Sequence, residues 1–451
     1  MTKRSTAAIV LAAGLGTRMK STRPKVMHHV GGRPLIGHVL ATLKDLNVER
    51  VVVVIGPGMD DVAKAVAPHQ TVIQTERLGT GHAVLQAKDA LSGFAGDILI
   101  VYGDTPFVSV EAYNRMRAAR AEESAPSVVV MSFMPGDPSG YGRLLITGKG
   151  LERIVEEQDA TPEERRVRVC NSGIFAVDAA GLWTLLAKVD QNNAKSEYYL
   201  TDIVQHAREA DLKCAAVNGE EDELLGINCR ADLAVAETLF QARMRDDALE
   251  GGVTMTDPRT VYFSADTVVG QDVEIGPYVV FGPGVRVGNN VTIRSHCHIE
   301  GARIESGAIV GPFARLRPGT VIGADAHIGN FVEVKNATLD KGAKVNHLTY
   351  IGDAHIGAGA NVGAGTITAN YDGFNKTLTE IGAGASIGSN SVLVAPVKIG
   401  AGAMTGAGAV VRKNVPDDAL AINDGGQKTI PGFAAKYRAR KKAEKEAKKK
   451  G

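Results

Sequence analysis

Cysteine is scarce and without pattern: only four of the 451 residues are cysteine, at Cys170, Cys214, Cys229 and Cys297. None is spaced for a metal site or a disulfide framework, so reduced structural thiols in a reducing, cytoplasmic compartment are the expectation. Aromatic residues make up only 5% of the chain. Neither sign of charge dominates, and a net charge of +1 names no nucleic-acid or membrane partner. No apolar run is long enough to span a bilayer, which excludes insertion by a helix as the reading. Lys3 and Arg4 precede the apolar residues 7–13, as in a secretory leader. That run is short and leads into GLGTRMK rather than a small-residue cleavage site, so a buried first strand entering a glycine turn is expected.

The chain has length enough for two or three domains and, at 44% apolar residues, the means to fill their cores. Its first half alternates apolar runs with amphipathic stretches. Residues 7–11, 51–55, 98–102 and 128–133 read as strands, and residues 34–46 and 80–91 as helices. This alternation predicts a mostly parallel, Rossmann-like sheet with helices on both faces, binding ligands at the carboxyl ends of its strands. Residues 231–249 turn helical, with Leu233, Ala236, Phe240 and Met244 near one face, and Gly251 and Gly252 stop the pattern. The expected organisation is a first domain over 1–230, a helical connection over 231–251 and a second domain over 252–451.

Glycine is the excess, with 52 residues concentrated in the second half. There Val269, Ile275, Phe281, Val287, Ile293 and Ile299 recur every six residues. After one five-residue step follow Ile304, Val310, Leu316, Ile322, Ile328 and Val334, and the register returns at Ile381, Ile387, Leu393 and Ile399. A six-residue period is the mark of a parallel β-helix, with the apolar side chain of each short strand pointing inward. Glycines often follow, as at Gly276, Gly288, Gly329, Gly382 and Gly388, and are expected at the corners, where unusual φ/ψ favours them. Residues 366–380 (TITANYDGFNKTLTE) break the repeat and should protrude. The Lys- and Arg-rich residues 436–450 read as a solvated tail.

Two constellations carry chemistry. LAAGLGTRM at 11–19 ends the first strand's run, and Pro24-Lys25 follows after four intervening residues. Its glycines let backbone N–H groups approach a triphosphate, while Arg18 and Lys25 add positive charge where phosphate charge shifts. In the second half, His347 sits where the repeat falters. Arg315, Arg317, Lys335 and Lys344 bring cations to that stretch, as a phosphate-bearing substrate requires.

The first motif resembles the signature of the sugar-phosphate nucleotidyltransferases. LGTGHA, YGD, GYGR, IVEEQDA, NSGI, EYYLTD and GIN extend the resemblance to the bacterial family that joins an N-acetylglucosamine-1-phosphate uridylyltransferase to a glucosamine-1-phosphate acetyltransferase. The resemblance implies Mg²⁺ as cofactor, UTP and acetyl-CoA as co-substrates, and a left-handed β-helix. It implies that Leu11, Ala12, Ala13, Gly14 and Lys25 hold nucleotide phosphates, and that Gln74, Gly79 and Thr80 read the uracil. It places Tyr102 and Gly103 beside the nucleotide, gives Gly142, Glu156 and Asn171 to the sugar, and makes Asp104 and Asn228 the metal ligands. In the second domain His347 is implied as general base. Arg317, Lys335, Tyr350 and Asn361 take the sugar phosphate, and Ala364, Asn370, Tyr371, Ser389 and Ala407 lie along the acetyl-CoA path, with the loop at Asn370–Tyr371 reaching a neighbouring subunit. One departure stands out: where the family commonly has an arginine, Ile422 is followed by Asn423 and Asp424, leaving Lys413 or the tail as a substitute. Packing of three flat-faced columns predicts a homotrimer. The rival readings are a nucleotidyltransferase with a β-helix scaffold and a non-enzymatic nucleotide-binding regulator. His347 with Lys335, Asn370 and Tyr371 argues against the first, and Lys25, Asp104 and Asn228 against the second.

Overall fold

The computed structural model describes residues 4–122, 125–423, 425 and 430–447, with 441–447 described by their backbone alone. Lys3, Asp424 and the lysines at 448–450 lie outside the described residues. The chain forms two compact units, one of Met1–Glu250 with Tyr262–Thr267, the other of Gly251–Val261 with Val268–Gly451.

In the first unit the apolar runs form the middle of one mixed sheet. Its strand order is Cys214–Asn218, Val128–Phe133, Cys170–Asp178, Asp97–Tyr102, Thr6–Leu11, Arg50–Ile55 and Gln70–Ile73. Cys170–Asp178 runs antiparallel to both its neighbours, and the remaining pairs on this path are parallel. Covered on both faces, Thr6–Leu11 and Val128–Phe133 are buried throughout, which is why they read as unbroken apolar runs. Alternation then sorts side chains between two cores: Ile9 and Ile100 join one, Val10 and Val101 the other. The helix expected over 34–46 spans Leu35–Asp45. That expected over 80–91 ends at Leu85 and resumes as a 3₁₀ turn at Asp89–Leu91, because the bonds from Ala87 N to Val84 O and Lys88 N to Leu85 O tighten the chain into i→i+3 turns.

The helix Arg230–Glu250 lays Ala236 and Phe240 into a small core with Val30, Leu35, Phe107 and Ile227, and Leu233 and Met244 pack against it. Its buried Gln241 is satisfied by the backbone of Phe263, donating from Nε2 to the carbonyl at 2.7 Å and accepting from the amide at 2.8 Å.

The second unit is a parallel β-helix. Glu274–Ile275, Thr292–Ile293, Ile309–Val310 and His327–Ile328 stack in parallel on successive coils, each 17 or 18 residues after the last. Every apolar position of the six-residue series from Ile275 to Val334, and from Ile381 to Ile399, is buried, while Val269 is half-exposed. The glycines that follow these positions have another reason than the one expected. Gly276, Gly329, Gly382 and Gly388 do not adopt positive φ. A Cβ on Gly382 would instead lie 2.4 Å from Ala401 N, and one on Gly388 2.6 Å from Ala407 N, so the next coil leaves no room for a side chain. Positive φ falls elsewhere, and one corner is built from Tyr278, His296, Phe313, Phe331 and Leu348. The four rings among these stack in a ladder with centroids 4.7–5.1 Å apart.

The break in the repeat is shorter than residues 366–380. Ile367–Ala369 and Thr379–Ile381 remain strands of the wall, with Thr366, Thr368 and Thr379 buried. Threonine in inward positions hid these strands from the apolar count: Thr368 Oγ1 donates to Gly352 O at 3.0 Å and accepts from Gly352 N at 2.8 Å. What protrudes is a small hairpin bridged at Tyr371 and Lys376, where Phe374 is 91% exposed.

Candidate active sites in the two units

At the carboxyl ends of the central strands lies a cavity of about 350 Å³. Leu11, Ala12, Ala13, Gly14, Lys25, Gln74, Gly79, Thr80, Tyr102, Asp104 and Asn228 line it. Strand ends and close backbone approaches place Ala12, Asp104 and Gly79. Ala12 N donates to Val54 O at 2.8 Å as the first strand ends, and Gly103 N to Leu11 O at 3.0 Å, which turns Asp104 inward. Gly79, at φ 111°, leaves 2.6 Å between a notional Cβ and Tyr198 O, so the 78–81 loop closes on residues 198–200. Gln74 is buried and donates from Nε2 to Gly79 O at 3.1 Å.

Lys25 Nζ contacts Asp104 Oδ2 and donates to Asn228 Oδ1 at 3.0 Å. An ammonium thus sits on the two oxygens expected to bind a metal, so this donor pair accommodates a cation. One carboxylate and one amide oxygen are the hard ligands Mg²⁺ accepts, with phosphates and water completing its shell.

Gly142, Glu156 and Asn171 form an adjoining group. Asn171 N donates to Gly142 O at 2.8 Å, and a Cβ on Gly142 would lie 3.3 Å from Glu156 Oε1. Burial raises the Glu156 pKa above the usual carboxylate range, with the Lys195 charge and the Thr201 hydroxyl opposing it. Arg18 is exposed and is not among the cavity's lining residues. Its charge acts on Asp232, which accepts from the amides of Asn228 and Cys229; burial resists ionisation there, but these bonds and Arg18 hold the carboxyl below its ordinary value. Two polar lining residues had no role assigned from the sequence: Glu197, inside EYYLTD, and Arg77, one residue before LGTGHA, which donates from Nε to Ala13 O at 2.9 Å.

In the second unit Ala364, Ser389 and Ala407, three of the five residues expected along an acetyl-CoA path, form a column above His347. Gly365 N donates to His347 O, Asn390 N to Ala364 O and Gly408 N to Ser389 O, so His347, Ala364 and Ser389 climb one coil at a time, with Ala407 N next against Gly388. Arg317, Lys335 and Tyr350 belong to an adjacent face, whereas Asn361 pairs with Lys344 on the face that ends at His347. Arg317 donates to Glu333 Oε1 at 2.9 Å. Asn370 is buried and donates to Asp353, which also accepts from Asn336 and lies 3.9 Å from Lys335 Nζ. Among the members of this neighbourhood not read from the sequence are Asp353, Lys376, whose amine the neighbouring Lys335 holds below the usual lysine range, and Asn330, bonded to His347 Nδ1. The repeat's interruption was the available signal for Lys376; nothing local marked the other two. Lys413, Arg412 and Asn423 line a depression of about 440 Å³ at the last coil.

Residues 8–168 match the MobA-like NTP transferase domain. Residues 266–301, 301–336 and 378–413 match the bacterial transferase hexapeptide repeats. Among curated proteins, the bifunctional protein GlmU of Paramagnetospirillum magneticum is 57% identical over 99% of both chains. That of Rhodospirillum rubrum is 57% identical over 97% of this chain and 98% of its own. With identity of this degree running through both units, the chain belongs to the bifunctional GlmU family.

Proposed function

We infer that the chain makes UDP-N-acetylglucosamine in two steps, acetylating glucosamine 1-phosphate on its left-handed β-helix and uridylylating the product on its mixed sheet. In the first step the sugar amine attacks the thioester carbonyl of acetyl-CoA, the C–S bond breaks, and the sulfur leaves as CoA. His347 takes the proton the amine loses, a role imidazole fills near neutral pH. Arg317, Lys335 and Tyr350 hold the sugar phosphate, and Ala364, Ser389 and Ala407 guide the CoA arm along their column.

In the second step a phosphate oxygen of N-acetylglucosamine 1-phosphate attacks the α-phosphorus of UTP, the bond to the β-phosphate breaks, and pyrophosphate leaves. Two anions meet, so charge neutralisation dominates. Gly14 and its neighbours present backbone to the phosphates, Arg18 and Lys25 add charge, Gln74, Gly79 and Thr80 read the base, and Gly142, Glu156 and Asn171 orient the sugar. Asp104 and Asn228 would hold Mg²⁺, which supplies positive charge to the triphosphate.

The gathering of Lys335, Asp353 and Asn370 in the coils that carry His347 is the observation that carries the acetyl-transfer half, because a scaffold alone has no need of these side chains together. The aromatic ridge at one corner, and the separation of Asn361 from Arg317 and Lys335, support a trimer whose neighbours complete each acetyl site. UTP and acetyl-CoA are intracellular metabolites, and Cys170, Cys214, Cys229 and Cys297 are free thiols, which supports a cytoplasmic setting. No helix among the described residues is long and apolar enough to cross a membrane.

The test is a coupled assay that follows CoA and pyrophosphate separately from glucosamine 1-phosphate, acetyl-CoA, UTP and Mg²⁺. His347→Ala should lower CoA release by about 10²–10⁴-fold and leave uridylylation of the acetylated sugar intact. Asp104→Ala should do the reverse. Loss of both activities in either variant would sink the two-site reading.

A further inference from the structure

We propose that Asn330 is the positioning residue of His347: its side-chain amide fixes the imidazole tautomer that leaves Nε2 free to take the proton. The inference rests on the reading of His347 as base, and its geometry is independent of the substrates.

Asn330 and His347 are paired Cα partners on adjacent coils, ending the strands His327–Asn330 and Lys344–His347. The backbone around the histidine is clamped. Leu348 N donates to Asn330 O at 3.1 Å, while His347 O accepts from Gly365 N at 3.1 Å and from Thr349 Oγ1 at 2.6 Å. On this frame Asn330 Oδ1 lies 2.8 Å from His347 Nδ1. An amide oxygen only accepts, so Nδ1 is the donor, and a neutral imidazole with its one hydrogen on Nδ1 keeps a lone pair on Nε2. Among the described residues no hydrogen bond engages Nε2.

The partner's chemistry is as informative as its position. The depression that Asn330 and His347 share, about 330 Å³, is also lined by Arg294, His327, Phe313, Phe331 and Asn346. Besides His347 its titratable and charged groups are therefore Arg294 and His327, with Lys344 on the histidine's own strand, whose partner on the next coil is the uncharged Asn361; no carboxylate lines it. A carboxylate in place of Asn330 would favour imidazolium, which cannot accept the proton. The amide orients the ring without that charge.

Acetyl transfer by the full-length chain, followed as CoA thiol release across pH 5–9, tests this. Asn330→Leu should lower kcat by roughly 10–100-fold, the scale on which orienting partners of functional imidazoles act, with KM for both substrates held within about twofold. Asn330→Asp, which is isosteric, should move the acid limb of the kcat/KM profile up by about one pH unit. A merely structural role would not move that limb. An acid limb in Asn330→Asp coincident with the parent, or a loss in Asn330→Leu expressed in KM alone, overturns the proposal. His347→Ala with undiminished acetyl transfer overturns instead the reading of His347 as base.

Discussion

Asp202 opens the helix Asp202–Glu209 half-buried, and burial, aided by Asp190, Glu156 and Asp159 against His206, raises its carboxyl pKa to about 6. The folded chain therefore holds a proton that an unfolded aspartate releases near 3.8. Between those values the native state binds more protons than the unfolded one, so this group's contribution to stability falls as pH rises from about 4 to 6 and stays low above. Asp202→Asn should accordingly raise the melting temperature of the first unit by a few degrees at pH 8, and the gain should vanish toward pH 4. Calorimetry of both proteins across that range checks it; an equal gain at both ends would mean the raised pKa is not its source. At this same scale His347 was visible as a histidine among cations, but its partner was not. Asn330 lies 17 residues earlier, and only the stacking of coils makes the two neighbours.

Elements of the β-helix answer to two separate steric rules, and substitution distinguishes them. Gly382 has no positive φ but faces backbone, with a notional Cβ 2.4 Å from Ala401 N. Gly359, at φ 66°, has nothing within 4 Å of that position. Gly382→Ala should destabilise the second unit by about 1–3 kcal/mol, the usual cost of overpacking. Gly359→Asn should stay within about 1 kcal/mol of the parent, because asparagine tolerates the left-handed region. The denaturant midpoint of the second unit's own transition measures both, and an unperturbed Gly382→Ala would remove close coil approach as the reason for the recurring glycine. The six-residue period alone could not separate these rules, since both put glycine beside an apolar strand.

For the whole molecule, the proposed trimer follows from what one chain leaves uncovered. Tyr278 is 58% exposed, Phe331 54% and Leu348 64%, along a single corner. Covering such a ridge by identical copies is the reading we favour. Sedimentation at micromolar concentration should give three times the chain mass of 47.4 kDa. Phe313→Glu with Phe331→Glu should shift the species toward monomer and depress acetyl transfer while uridylyl transfer persists. A monomeric parent with full acetyl-transferase activity would refute shared acetyl sites.

What the sequence determined by itself was whatever depends on spacing along the chain. The alternation of apolar runs and helices predicted a mostly parallel sheet in the first unit, which the antiparallel Cys170–Asp178 makes mixed, and the six-residue count gave the coil, because each inward side chain must recur at the period of its strand. The glycine turn before Lys25 was legible for the same reason: its chemistry is local. The tertiary structure alone decided which distant residues share a site. It set Lys25 on Asp104 and Asn228, 203 residues apart in the second case, brought Arg77 to Ala13, gathered Lys335, Asp353 and Asn370, and laid Asn330 against His347. Parallel strands pair through crossovers and coils rather than tight turns, so the partners in these contacts are fixed by the length of a crossover or a coil, which no local pattern of residues records.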